Sequence, residues 1–139
     1  EDIQLVINEA KKNPELIING MCPTVDELEF RKTSIPKVVC HKDGKLFYIS
    51  RAPIPLDKNN GYQEAWKQVC IYAFPIKALE TFAKNGNKTT LESLEDIEII
   101  RFLELGFQVK MIRVSQSSIA VDYPDDILRV EKAILEKSI

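Results

Sequence analysis

Arg51 is the side chain of this 139-residue sequence best suited to recognising an anion. It closes the run Lys45-Leu46-Phe47-Tyr48-Ile49-Ser50-Arg51 and is followed by Ala52-Pro53-Ile54-Pro55. Each proline fixes its own φ and holds the preceding residue extended, so the guanidinium is expected at the mouth of a strand on a stiff, non-helical segment. Its planar fork of donors suits a carboxylate or a phosphate. An exposed arginine at a strand end is also ordinary surface chemistry, so the fork alone defines no site.

Carboxylates are the second group able to do chemistry. Asp122 follows the apolar triplet Ile119-Ala120-Val121 and precedes Tyr123-Pro124. That places it at the end of a strand and the start of a helix, where open α/β sheets collect their ligands. A carboxylate there can coordinate a hard cation or cap the helix. Glu92, Glu95, Asp96 and Glu98 crowd another helix start, where a solvated face that complements the helix dipole accounts for most of them. Cys22, Cys40 and Cys70, with His41 as the single histidine, lack metal-ligand spacing and read as reduced, buried thiols. Cys40 and His41 are strand neighbours that point to opposite faces, so they cannot form a nucleophile pair.

The elements that must position these residues follow from periodicity. Ile3, Val6, Ile7 and Ala10 form a helical stripe ending at Asn13-Pro14, and Leu16-Ile17-Ile18 reads as a buried strand that exits through Asn19 to Pro23. A helix followed by a strand, with no strand before it, suggests an α/β unit whose beginning lies elsewhere. Thr24 to Phe30 reads as a short capped turn. Val38-Val39-Cys40 and Lys45 to Ser50 flank Asp43-Gly44, a type I′ hairpin signal. A polar loop runs from Leu56 to Trp66, with Trp66 as its anchor. Gln68 to Phe74 is a core strand, and Pro75 opens a helix over Ile76 to Lys84. Thr90 is expected to cap one long helix from Leu91 to Leu105, ended by Gly106. A strand over Val109 to Val114 and a final helix from Asp125 to Glu136 complete the chain.

Composition bounds the function classes. An apolar fraction of 45%, a charged fraction of 29% and a formal charge of -2 describe an ordinary single globular domain piece over 1–139 with no electrostatic footprint for nucleic acid. No run approaches the roughly 20 apolar residues of a membrane span, and no signal peptide opens the chain. The expectation is a cytoplasmic protein with neither nucleic-acid nor membrane partners.

Four stretches, in order, resemble motifs of the bacterial 3-deoxy-manno-octulosonate (KDO) cytidylyltransferases, the CMP-KDO synthetases. Phe47 to Pro55 is similar to the family's FSRAPIP segment, with Val38 to Gly44 similar to its lead-in. Gln68 to Phe74 is similar to the HIGIYAY strand, Thr89 to Glu95 to the TPLE-x-x-E helix start, and Ala120 to Asp126 to GVDTPEDL. The resemblance covers nearly the whole chain but only the C-terminal portion of the family pattern. The family's R-x-x-S-x-R-L-P-x-K and GDEP motifs do not occur in these residues.

The resemblance implies part of a nucleotide-diphospho-sugar-transferase-like, Rossmann-like mixed α/β sheet layered by helices, with a projecting β-hairpin that builds a homodimer. It implies the sugar-binding and dimerising portion of an enzyme that joins CTP to a 2-keto-3-deoxy sugar acid. Arg51 would clamp the sugar carboxylate, Gln68, Tyr72 and Glu95 would line the sugar pocket, and Asp122 would hold Mg2+. Without the N-terminal nucleotide motifs, these residues alone are expected to turn over negligibly. Gln68 stands where the family usually has His and Ile99 where a Gln is common. Both departures fall on the sugar side, which leaves open a nonulosonic acid or an amino-KDO as substrate, or a non-catalytic dimerising module.

Overall fold

The computed structural model describes residues 1–115, 121 and 124–137. Among them the elements run α1 (Asp2–Lys12), β1 (Ile17–Pro23), α2 (Glu27–Arg31), β2 (Lys37–Cys40), β3 (Leu46–Ser50), β4 (Trp66–Ala73), α3 (Ile76–Lys84), α4 (Thr90–Glu95), α5 (Ile99–Glu104), β5 (Val109–Arg113) and α6 (Pro124–Lys137). The five strands form one mixed sheet in the order β3-β2-β4-β1-β5. β1 and β5 pair in parallel and the other neighbours are antiparallel.

Alternation along β1 builds two cores. Ile17 and Met21 face one side, where Val38, Ile49, Ile100, Phe102, Val109 and Met111 pack. Ile18 and Cys22 face the other, against Val6 of α1, Val69 and Val114. A fully buried aliphatic side chain of this kind contributes about 1.5–3 kcal/mol, so the two layers clamp β1 inside the sheet between β4 and β5. The apolar pattern stays legible because side-chain direction reverses at every strand residue.

The hairpin β2–β3 forms one edge of the sheet, joined to β4 through Lys37 and Val38. Its turn is not type I′. Among the described residues only Gly44 in this turn has positive φ, at 92°, and the Gly44 N–H closes on the His41 carbonyl at 2.9 Å. A type I′ turn needs two positive φ values, whereas a turn ended by a single left-handed glycine makes a bulged hairpin. Gly44 is required for a second reason: its carbonyl accepts from the Met111 N–H at 2.8 Å, and a Cβ would stand 2.5 Å from the Met111 oxygen. The tip therefore reaches across the sheet to β5. A register shift between Val39 and Cys40 also breaks strict alternation, so Leu46 and Ile49 are buried while Phe47 is exposed.

The expected helix from Leu91 to Leu105 is two helices. Asp96 adopts a left-handed conformation (φ 52°, ψ 50°) that ends α4 before α5 begins, a region an aspartate tolerates better than most residues. The cap at the start of α4 is Thr89 rather than Thr90, and Thr89 and Glu92 form a capping box. The thiols also differ from expectation: Cys22 is buried, Cys40 half-buried and Cys70 exposed. Ile119 and Ala120 of the expected strand over Ile119 to Val121, and the residue Asp122, lie outside the described residues.

Candidate functional site

The exit of β3 is pinned from three directions. Glu95, at the end of α4, accepts from Ser50 Oγ at 2.6 Å, the Arg51 N–H at 2.9 Å and Tyr48 Oη at 3.3 Å. Burial pushes its carboxyl up, but these donors outweigh burial and hold it below the usual carboxylate range. The Arg51 side chain returns along the same path. Its Nε donates to the Glu95 carbonyl at 2.6 Å, Nη2 to the Asp96 carbonyl at 2.8 Å and Nη1 to the Thr33 carbonyl at 3.2 Å. Arg51 thus caps the C-terminal end of α4, and the break at Asp96 is the geometry that offers it two adjacent carbonyls. The fork expected to clamp a sugar carboxylate is turned toward main chain instead.

Lys37 completes this frame. It is fully buried, and its ammonium donates to the carbonyls of Lys32 at 2.8 Å, Ile35 at 2.6 Å and Arg51 at 2.8 Å. Three donors meet three acceptors, the condition for keeping a charge inside. Burial, then the nearby Arg51 charge, lowers its pKa to about 8.

A second polar group sits on the sheet between β1 and β4. Asn19 is fully buried at a register shift in β1, and its Nδ2 donates to the carbonyls of Val69 at 2.9 Å and Ile71 at 3.0 Å. Its Oδ1 accepts from Gln68 Nε2 at 2.9 Å, and the same Nε2 donates to Tyr72 Oη at 3.1 Å. Tyr72 stacks on Phe74 with ring centroids 5.5 Å apart. Burial, then the Cys70 thiol and the Glu98 charge, pushes its phenol up, so the hydroxyl keeps its proton. Gln68 and Tyr72 therefore come together, and Arg51 and Glu95 come together. No hydrogen bond links the two pairs among the described residues.

Sequence reasoning missed Asn19 and Lys37. A polar residue inside Ile-Ile-Asn-Gly, and a lysine immediately before Val-Val, are the signals that pointed to them. It also placed Glu92 on a solvated face. Glu92 is fully buried and receives Arg101 through Nε at 2.5 Å and Nη2 at 2.7 Å. The guanidinium of Arg101 lies 3.9 Å from the Phe82 ring centroid.

Neither pair lines the basin under the hairpin tip. That basin, of about 460 Å³, is lined by Met21, Cys40, Trp66, Lys110 and Arg113 among others. The carboxylates around this frame are engaged by protein donors. Glu92 is held by Arg101, Glu95 by Ser50, Tyr48 and the Arg51 amide, and Asp96 by Lys88. No group of three or more His, Cys, Asp or Glu able to hold a metal occurs among the described residues. Asp122, the expected ligand, lies outside them.

Comparison with known proteins supplies the wider frame. No protein-family model matches the chain. The 3-deoxy-manno-octulosonate cytidylyltransferase of Protochlamydia amoebophila is 30% identical over 139 residues, which is 98% of this chain and 52% of that protein. The protein of the same name from Chloroherpeton thalassium is 39% identical over 124 residues, 88% of this chain and 49% of that protein. The chain is similar to the 3-deoxy-manno-octulosonate cytidylyltransferases. It spans about half the length of the curated relatives it matches. A solved CMP:2-keto-3-deoxy-manno-octonic acid synthetase, in complex with CTP, superposes with a TM-score of 0.85 over 98% of this chain and 56% of that one, at 22% identity. That likeness establishes the mixed α/β fold of the cytidylyltransferase family for this chain.

Proposed function

We propose that this chain forms the sugar-acid side of a cytidylyltransferase and corresponds to the C-terminal portion of its relatives. In the reaction, the anomeric hydroxyl of a 2-keto-3-deoxy sugar acid attacks the α-phosphate of CTP, giving the CMP-sugar and pyrophosphate. The observation that carries the reading is the Gln68–Tyr72 pair, which stands on a sheet face within a chain similar to these cytidylyltransferases. Gln68 presents its Oε1 as an acceptor beside the Tyr72 hydroxyl, which accepts from Gln68. An acceptor so placed suits a sugar hydroxyl.

Arg51 and Glu95 serve this site as positioning residues, holding the hairpin exit against α4, rather than as direct contacts. Such chemistry depends on placing the attacking oxygen, so a rigid frame contributes to rate. Asp122 remains the residue proposed to hold Mg2+. The exposed Phe47 on the hairpin, 57% accessible, supports a homodimer built on that edge. No helix of the described residues is long and apolar enough to cross a membrane, and use of CTP favours a cytoplasmic setting.

Gln68, where the family usually has His, favours a second reading in which the substrate is a related acid such as a nonulosonic acid or an amino-KDO. A two-dimensional 1H–15N titration with KDO separates the possibilities. Saturable shifts at Gln68 and Tyr72 are expected. Shifts confined to the basin under the hairpin, or none at millimolar KDO, would overturn the site, and stronger binding of a nonulosonic acid would select the second reading.

A further inference from the structure

Asn19, Gln68 and Tyr72 form a hydrogen-bond chain with only one possible direction. The Asn19 amide cannot be reversed, because its oxygen would then face the Val69 and Ile71 carbonyls at 2.9 and 3.0 Å, three acceptors together inside a buried space. With Nδ2 fixed on those carbonyls, Oδ1 must face Gln68, and only the amide nitrogen of Gln68 can answer it, at 2.9 Å. That nitrogen also meets Tyr72 Oη at 3.1 Å, so both its hydrogens are used and Tyr72 is an acceptor within the chain. The Tyr72 phenol has the Cys70 thiol beside it, and Gln68 Oε1 is left as an acceptor.

We propose that Asn19 is a positioning residue that sets the polarity of the site, orienting Gln68 so that its Oε1 offers an acceptor to the ligand. This rests on the sugar-acid reading above and sharpens it. The group seated on Gln68 Oε1 must donate, as a hydroxyl does. A sugar-acid hydroxyl satisfies this, whereas its O-methyl ether loses the match.

The test starts on the unmodified chain without ligand. Both Gln68 side-chain amide protons should show slowed exchange and a scalar coupling or shift typical of two hydrogen bonds. Exchange at the rate of a free glutamine amide would overturn the proposal. In Gln68→Glu the new carboxyl faces the fixed Asn19 oxygen, so it must stay protonated to keep that bond. Its 13C titration should lie well above the usual glutamate pKa of about 4.3, and sugar-acid binding should fall as pH rises through that midpoint. An ordinary glutamate titration with unchanged binding would overturn the proposal. Asn19→Ser should free the Gln68 amide and weaken KDO binding by about tenfold, the loss expected for one oriented hydrogen bond. Protected Gln68 protons in a chain that binds no sugar acid would leave the Asn19 link standing and overturn the site reading instead.

Discussion

Arg51 and Glu95 hold each other twice over: the Glu95 carboxylate takes the Arg51 amide at 2.9 Å, and the Arg51 Nε takes the Glu95 carbonyl at 2.6 Å. A reciprocal clasp of this kind couples the exit of a hairpin to the end of a helix 44 residues away. Residues in one network do not act additively. Arg51→Ala and Glu95→Ala should each destabilise the fold by about 1–3 kcal/mol, and the double variant by clearly less than their sum. Denaturant unfolding of the four proteins measures this, and strict additivity would show that the two residues act separately. Arg51→Lys should not rescue, because an ammonium cannot reach three carbonyls arranged for a fork.

Glu92 and Arg101 form a buried pair, and removing one partner leaves the other uncompensated. Glu92→Gln should cost about 3–5 kcal/mol, visible as a lowered midpoint in urea. Hydrogen bonding by Arg101 holds the Glu92 carboxyl below the usual range, as Ser50 and the Arg51 amide help do for Glu95 despite its burial. Groups with a lowered native pKa bind fewer protons in the folded state than in the unfolded one. Their contribution is complete above the ordinary carboxylate pKa and is lost as pH falls through the lowered values. Thermal unfolding from pH 6 downward should show stability falling below about pH 4.5, with a shallower fall in Glu92→Gln.

Lys37 has the opposite sign. Its native pKa of about 8 lies below the roughly 10.4 of an exposed lysine, so between these values the unfolded chain holds a proton that the folded chain lacks. This group's contribution to stability therefore rises with pH across that window. The carbonyl 13C shifts of Lys32, Ile35 and Arg51, which receive the ammonium, should titrate together with a midpoint near 8. The flanking charges are those of Arg51 and Glu95, together with Lys67 across the strand, which is paired with Glu29. Lys37→Met should abolish the common titration. A midpoint at the ordinary lysine value would contradict the buried placement.

Much of this architecture was legible in the sequence because its signals are local. The Ile3 to Ala10 stripe, the Val-Val and Gln68 to Phe74 strands and the Pro75 helix start each announce an element within a few residues, and α3 falls where its periodicity put it. The pairing of Gln68 with Tyr72 could also be anticipated, since both belong to one strand. The break at Asp96 could not. There Arg51, distant in the chain, donates to two carbonyls, and no helix propensity records that contact. Glu92 was misplaced for the same reason: an acidic first turn looks solvated until Arg101 folds back on it. Asn19 and Lys37 draw their roles from acceptors that exist only once strands and loops have met.

The most direct test of the account is to join this chain to the part of the Chloroherpeton thalassium relative that it does not match, and to assay pyrophosphate release from CTP with KDO and Mg2+. The account predicts CMP-KDO formation that depends on both substrates and falls when Gln68 or Tyr72 is replaced by alanine. A folded chimera that binds CTP yet leaves every 2-keto-3-deoxy sugar acid unused would contradict it.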